Sequence, residues 1–415
     1  MFHIKTKIIN KYHQYLKHLS NPIKPLNWLE NLILLNSFRQ QLKAETNYHN
    51  LSLPIADQTN KYASLTTRLL ANFMPNNLGN WSIKKPYSLS TQLEKEVVEM
   101  VKNYYHADNK TGGHFTSGST EGNIYATWIG RNYLLKKLKL KSTEKICLLQ
   151  NDLAHYSISK AANLNNVVSQ KIAINDQSWN IDLDFLVKTI KQLYQAGYRG
   201  FLLPLTIGYT VTGTEDEVMK ICSIIKKFKA KHPAAEFFVW LDAAFSGMSK
   251  AFLSQNFAPF TNQAVQLITT DFHKLLAVPY STGLVLYKKN LLNFIKSDIP
   301  YIDQLDTTLL GSRSGINVIA TWMTLKNLNK KSMRNVFVQA IKKKKHFLNK
   351  ISAEQLKIKI IDHPATVQAC LICQDTKAIK LIKEKYDLSI INYKILFPSG
   401  WQSLKMVKLY FFPKI

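Results

Sequence analysis

The chain has 415 residues, 46% of them hydrophobic and 20% charged, with a formal net charge of +28. This length and apolar content suit one large domain with a smaller one, and exclude a chain that is mostly disordered. No uncharged apolar run reaches about 18 residues, so no membrane span is expected, and four cysteines are too few for a disulfide scaffold. The lysines are spread along the sequence, densest at "IKKKKHF" (341–347), with no nucleic-acid-binding module beside them. A general bias towards Lys, Asn and Ile is the plainer account, so nucleic acid is not an expected partner. The default location is the cytoplasm.

Residues 1–60 read as an N-terminal helical segment. Its opening, "MFHIKTKIINKYHQYLKHLS", is basic but lacks the apolar core of a signal peptide. A structural helix is the simpler reading, and an amphipathic docking or targeting helix is the alternative. A large domain is expected over 61–318. Its first helix, 90–107, places Leu93, Val97, Val98 and Val101 at helical spacing. After a Gly-rich turn, a second helix over 121–140 ends in lysines that favour its dipole.

Strands and helices then alternate. Strands are expected at 145–150, 169–174, 200–208, 237–245, 265–272 and 283–289, and helices at 155–164, 183–197 and 215–232. This order predicts a mostly parallel sheet covered by helices. The last two strands lack an intervening helix, so one of them should run antiparallel. From 319 to 415 the pattern changes to two helices (318–328, 334–351) and strands such as 367–373 and 406–412, a small α+β domain. Cys370 and Cys373 form a CxxC on a strand, where residues three apart face opposite sides. The 11 histidines show no metal-ligand spacing, so no metal site is expected.

Open α/β sheets bind ligands beyond the carboxyl ends of their strands. His155 follows the 145–150 strand, Asp242 closes the 237–245 run, and His273 and Lys274 follow "QLITTDF". The turn "HFTSGSTEGN" (114–123) opens a helix, which suits an anion held by backbone N–H groups. Together these match the needs of pyridoxal phosphate: an anion cradle, a lysine for the aldehyde, a carboxylate for the pyridine nitrogen and a flat imidazole for the ring face. Singly, each has a plainer reading as a helix cap, a strand-end cap, a loop histidine or a surface lysine.

Five stretches carry a resemblance: "NNLGNW" (76–81), "HFTSGSTEGNIYA" (114–126), "AHYSISKAA" (154–162), "LDAAFSGM" (241–248) and "YIDQLDTTLLGSRSG" (301–315), joined by "DFHKLLAVPYSTGLVLYKK" (271–289). From about 70 to about 330 the sequence resembles the group II pyridoxal-phosphate-dependent amino-acid decarboxylases, most closely bacterial histidine decarboxylases and plant serine decarboxylase. The resemblance implies an α/β fold of type I, like aspartate aminotransferase. Its large domain would hold a mostly parallel sheet of seven-stranded type. It also implies a homodimer with interfacial active sites, acting on an amino acid as its small-molecule substrate.

By position, the resemblance makes Lys274 the lysine that takes the aldehyde of pyridoxal 5'-phosphate, and Asp242 the partner of the pyridine nitrogen. Ala244 would lie against the ring and His155 on its other face. Ser119, Thr120 and His273 would contact the phosphate, with Thr210 near the cofactor. Lys274, His155 and Asp242 are the expected catalytic residues, and Tyr301 or His155 the candidate proton donors to Cα. The expected reaction is decarboxylation, with histidine to histamine as the leading case. Two departures stand out: "SGHK" of the relatives is "DFHK" here, and "IGTT" is "IGYT", which introduces Asp271 and Tyr209. Asp271 keeps open a carbon–carbon lyase of the same fold. A cofactor-binding protein with altered activity is the third reading.

Overall fold

A computed structural model describes residues 28–46, 51, 60–73, 75–77, 88–254, 257–299 and 304–415. The chain divides into two compact units, 1–49 and 50–415. In the first, the described residues form helix α1 (Trp28–Thr46). The opening basic stretch and Tyr301 lie outside the described residues.

The second unit begins with α2 (Lys61–Leu69) and α3 (Ser88–Tyr104) and then builds a seven-stranded sheet. Its strands are β1 (Thr111–Thr116), β2 (Ile146–Gln150), β3 (Val168–Lys171), β4 (Gly200–Thr206), β5 (Glu236–Asp242), β6 (Val265–Asp271) and β7 (Gly283–Lys288). Their spatial order is β1-β7-β6-β5-β4-β2-β3. Only β7 runs antiparallel, to both β1 and β6. The helices between strands are α4 (Ser119–Lys137), α5 (Tyr156–Leu164), α6 (Leu183–Gln195), α7 (Val218–Lys231), α8 (Gly247–Leu253) and the four-residue α9 (Phe272–Leu275).

Burial on both faces explains why the central strands are apolar runs without alternation. Every residue of β2 and β4 is buried. Leu148, Leu202, Phe238 and Trp240 pack with Tyr125 and Ile129 of α4 on one face. Their neighbours Leu149, Phe201, Leu203 and Val239 pack on the other, in the core that includes Val97 and Val101 of α3 and Ile221 and Ile225 of α7. Two-residue periodicity thus survives as a choice between two cores.

Strand β1 corrects the reading of this region as a Gly-rich turn. It carries two glycines because β7 presses on it: a Cβ at Gly113 would stand 2.6 Å from the Val285 carbonyl oxygen. Glycine weakens a strand signal even where close approach demands it.

The tail adds α10 (Gly315–Asn327), α11 (Lys330–Ala353) and α12 (Thr376–Glu384). A second, four-stranded sheet contains β8 (Ile358–Asp362), β9 (Gln368–Cys373), β10 (Ile391–Phe397) and β11 (Gly400–Tyr410). It is antiparallel throughout, in the order β8-β9-β11-β10. Cys370 enters one core and Cys373 another, as alternation along β9 requires. The fold is therefore the expected type: a mostly parallel seven-stranded sheet with a smaller C-terminal sheet.

Candidate active site

Because β1, β2, β4, β5 and β6 are parallel, their carboxyl ends share one edge. Asp242 is the last residue of β5, Asp271 the last of β6, and His273 and Lys274 sit in α9 directly after it. His155 is the residue before α5 and Ser119 the first of α4, with Gly118 ahead of it at φ +94°. The local folding is simple: the strands that carry the site are buried at their carboxyl ends and give way, directly or after a short turn, to a helix N-terminus.

One hydrogen-bonded chain joins two of the expected catalytic groups. Asn123, on the buried face of α4, donates from Nδ2 to Asp242 Oδ2 at 2.8 Å and to Ser157 Oγ at 2.9 Å. Its Oδ1 accepts from the Trp240 indole N–H at 3.0 Å. Ser157 Oγ lies 2.8 Å from His155 Nδ1. Both amide hydrogens of Asn123 are then committed, one to each oxygen, so the serine hydroxyl has its own hydrogen left for Nδ1. The Ser157 backbone N–H also points at Nδ1, at 3.3 Å. The imidazole proton is thereby placed on Nε2. Burial holds His155 below the ordinary imidazole pKa, against the pull of Asp242 and helped by Lys274. It is a neutral ring with a fixed tautomer. Asp242 Oδ1 also accepts from the Ala244 N–H at 3.2 Å, which folds Ala244 back towards the same carboxylate.

A second cluster surrounds Asp271. Its Oδ1 accepts from the Ser119 N–H at 2.6 Å and from Ser119 Oγ at 2.8 Å. Its Oδ2 lies 3.0 Å from Lys274 Nζ and 3.7 Å from His273 Nε2. His273 is braced by Thr282, whose carbonyl oxygen is 2.8 Å from Nδ1. Thr120, half-buried, follows Ser119 in the first turn of α4. The two clusters are one site: Thr269 pairs with Asp242 across β5 and β6, and its hydroxyl donates to Ser119 Oγ at 3.0 Å.

Thr210 stands apart from these bonds, in the loop after β4. Its carbonyl oxygen accepts from the Tyr410 hydroxyl at 3.0 Å and lies 3.4 Å from Gln368 Nε2 of the small sheet. Tyr410 in turn stacks on Phe245, whose ring lies 5.6 Å from Lys274 Nζ. Tyr209, the second departure, is fully buried. It packs in the core with Leu153, Ile174 and Ile395, and its hydroxyl lies 2.8 Å from both oxygens of Asp216 and bonds Asn151.

The donor set fits pyridoxal phosphate on its own chemistry: an amine, a carboxylate, a neutral imidazole and a helix N-terminus converge. Glycine at 118 lets that terminus approach His273 closely, since a Cβ there would stand 3.3 Å from His273 Cε1. A family model, the pyridoxal-dependent decarboxylase conserved domain, matches residues 13–375. The chain belongs to this decarboxylase family.

Its cofactor is accordingly pyridoxal 5'-phosphate. Tryptophan decarboxylase of Clostridium sporogenes is 32% identical over 258 residues, covering 60% of each protein, so the match spans less than two thirds of that relative. Histidine decarboxylase of Vibrio anguillarum is 27% identical over 303 residues, 72% of this chain and 73% of its own. Among solved structures, L-methionine decarboxylase of Streptomyces sp. 590 superposes with a TM-score of 0.79. It is 17% identical and covers 96% of this chain and 95% of its own, a likeness of fold.

Asn123, Ser157 and Trp240 escaped the reading of the sequence. An asparagine on the buried face of a helix is a signal in principle, since a buried amide needs partners. Its partners come from β5 and α5, which the sequence does not align.

Proposed function

We propose that the chain decarboxylates an L-amino acid to the amine and carbon dioxide, with histidine to histamine as the leading reaction. The observation that carries this reading is the convergence of Lys274, Asp242 and His155 at one sheet edge beside the N-terminus of α4. The Vibrio histidine decarboxylase, similar over most of both chains, supports histidine, and the clostridial enzyme makes tryptophan the first competitor.

When bound, pyridoxal phosphate supplies an electron sink for the pair left at Cα. The chain's residues do the rest. Lys274 would hold the cofactor through its aldehyde and would be the amine that the substrate replaces. Asp242, oriented by Asn123 and the Ala244 N–H, would partner the pyridine nitrogen, with Ala244 beside the ring. His155 would lie on the other face, with its Nε2–H available to the substrate carboxylate. Ser119, Thr120 and His273 form the phosphate end, and Thr210 buttresses the Lys274 side through Tyr410 and Phe245. The active assembly is a homodimer. Tyr156 and Tyr280, adjacent in space or sequence to His155 and His273, are 63% and 71% exposed, and such aromatic edges suit a second copy.

The test is a visible spectrum of the purified protein, with carbon dioxide followed on adding L-histidine, L-tryptophan and other amino acids. A cofactor band lost in Lys274→Ala, with gas from one amino acid, is expected. A band without gas from any amino acid would sink decarboxylation and favour the carbon–carbon lyase reading that Asp271 keeps open, decided by product analysis.

A further inference from the structure

Asp271 is a carboxylate standing where a phosphate is to be held. It is 3% exposed and takes both hydrogen-bond donors of Ser119, the first residue of α4. Two glycines close over it. A Cβ at Gly118 would lie 3.6 Å from Oδ1, and one at Gly283, at the start of β7, would lie 2.9 Å from the same atom. The charged or titratable groups facing it are Lys274 and His273 from α9, and His155 ahead of α5, which also faces Asp242 of β5. Lys274 is the only fixed cation of this set, and it is the residue committed to the cofactor's aldehyde. A doubly charged phosphate at the α4 terminus would meet the Asp271 carboxylate with little left to neutralise both.

We propose that Asp271 is a positioning residue that makes the phosphate of the cofactor bind as its monoanion, with one P–OH donating to the Asp271 carboxylate. The proposal rests on the cofactor reading above. The proton comes from solvent on loading and needs no other reactant. A free phosphate monoester loses its second proton near pH about 6, so above that pH the bound and free forms differ by one proton. By linkage, Asp271 then makes cofactor affinity fall with rising pH relative to a chain that lacks the carboxylate.

The experiment is phosphorus NMR of the cofactor-loaded protein, intact chain, between pH 6.5 and 8.5, for wild type, Asp271→Asn and Asp271→Ser. Asparagine keeps an acceptor for Ser119, and serine gives a second test should the first variant fold poorly. The wild-type resonance is expected at the monoanion position across the range, and the variants' resonances at the dianion position. In parallel, the affinity of Asp271→Asn relative to wild type should rise about tenfold per pH unit. A wild-type resonance already at the dianion position, unmoved by either substitution, would overturn the role of Asp271 while leaving the cofactor site intact. Failure of the wild type to take up pyridoxal phosphate would overturn the cofactor reading and this proposal with it, whereas loading of the wild type with failure of both variants would overturn the role of Asp271 alone.

Discussion

At the scale of single residues, the site turns on hydrogen bonds whose direction is forced. Asn123 has two amide hydrogens and spends them on Asp242 and Ser157. Ser157→Ala removes the 2.8 Å hydroxyl bond to His155 Nδ1 and leaves only the longer one from the backbone N–H to hold the tautomer. It should lower kcat by about 10-fold to 100-fold with KM little changed, the usual range for a partner that orients a functional group. A loss confined to KM would refute the orienting role. Asn123→Ala is harsher, since it strands the Trp240 indole N–H and one oxygen of Asp242 in a buried site. A cost of about 1–3 kcal/mol in stability is expected from unfolding in denaturant. In the double variant the effects on kcat should fall short of the sum, because both act through His155. Lysine, aspartate and histidine could be picked from the sequence because their chemistry is singular; an asparagine whose partners lie on other elements could not.

At the scale of elements, α4 has to lie close to β6 for Ser119 to reach Asp271. Gly122 permits this, since a Cβ there would collide with the Thr269 side chain. Gly122→Ala should destabilise by about 1–3 kcal/mol and weaken cofactor uptake, read by thermal melting and by absorbance titration. Gly197 offers the contrast: it has a φ of +99° and open space around it. Gly197→Ala should cost about 1 kcal/mol of backbone strain and leave uptake unchanged. Equal effects on uptake would show that Gly122 acts through global stability alone.

The loop after β4 has its own anchor in Asp216. It accepts the Thr206 N–H at 2.7 Å and the Ile181 N–H at 3.0 Å. Burial raises its pKa to about 6, in spite of these bonds. The native chain therefore binds more protons than the unfolded one between about pH 4 and 6. The stabilisation is full below that window and falls as pH rises through it, by about 3 kcal/mol. Asp216→Asn cannot titrate. The stability gap between wild type and this variant should shrink by about that amount from pH 4 to pH 7, and a constant gap would count against the assignment.

At the scale of the whole molecule, two aromatic rings beside the site are left facing outward. Tyr156 and Tyr280 stand 63% and 71% exposed beside the site. A dimer should elute at twice the chain mass in size-exclusion chromatography with light scattering. Tyr280→Glu should shift it towards monomer and lower activity in step. A wild-type monomer with full activity would remove the second copy from the site.

The order of strands and helices, the one antiparallel strand and the strand-end positions of His155, Asp242 and Lys274 follow from the sequence alone, because burial periodicity and helix starts are local signals. So does the family, since its motifs are contiguous. Three things belong to the tertiary structure. The "TGGHFT" strand (Thr111–Thr116) is a strand because β7 lies against its glycines. Tyr209, read from the sequence as a departure at the site, turns into a core between the two sheets to meet Asp216. Asp271, read as a charge brought towards the phosphate, reaches across 152 residues of chain to Ser119 and so joins it to Lys274. Each depends on which elements become neighbours, and packing of distant segments decides that where local pattern does not.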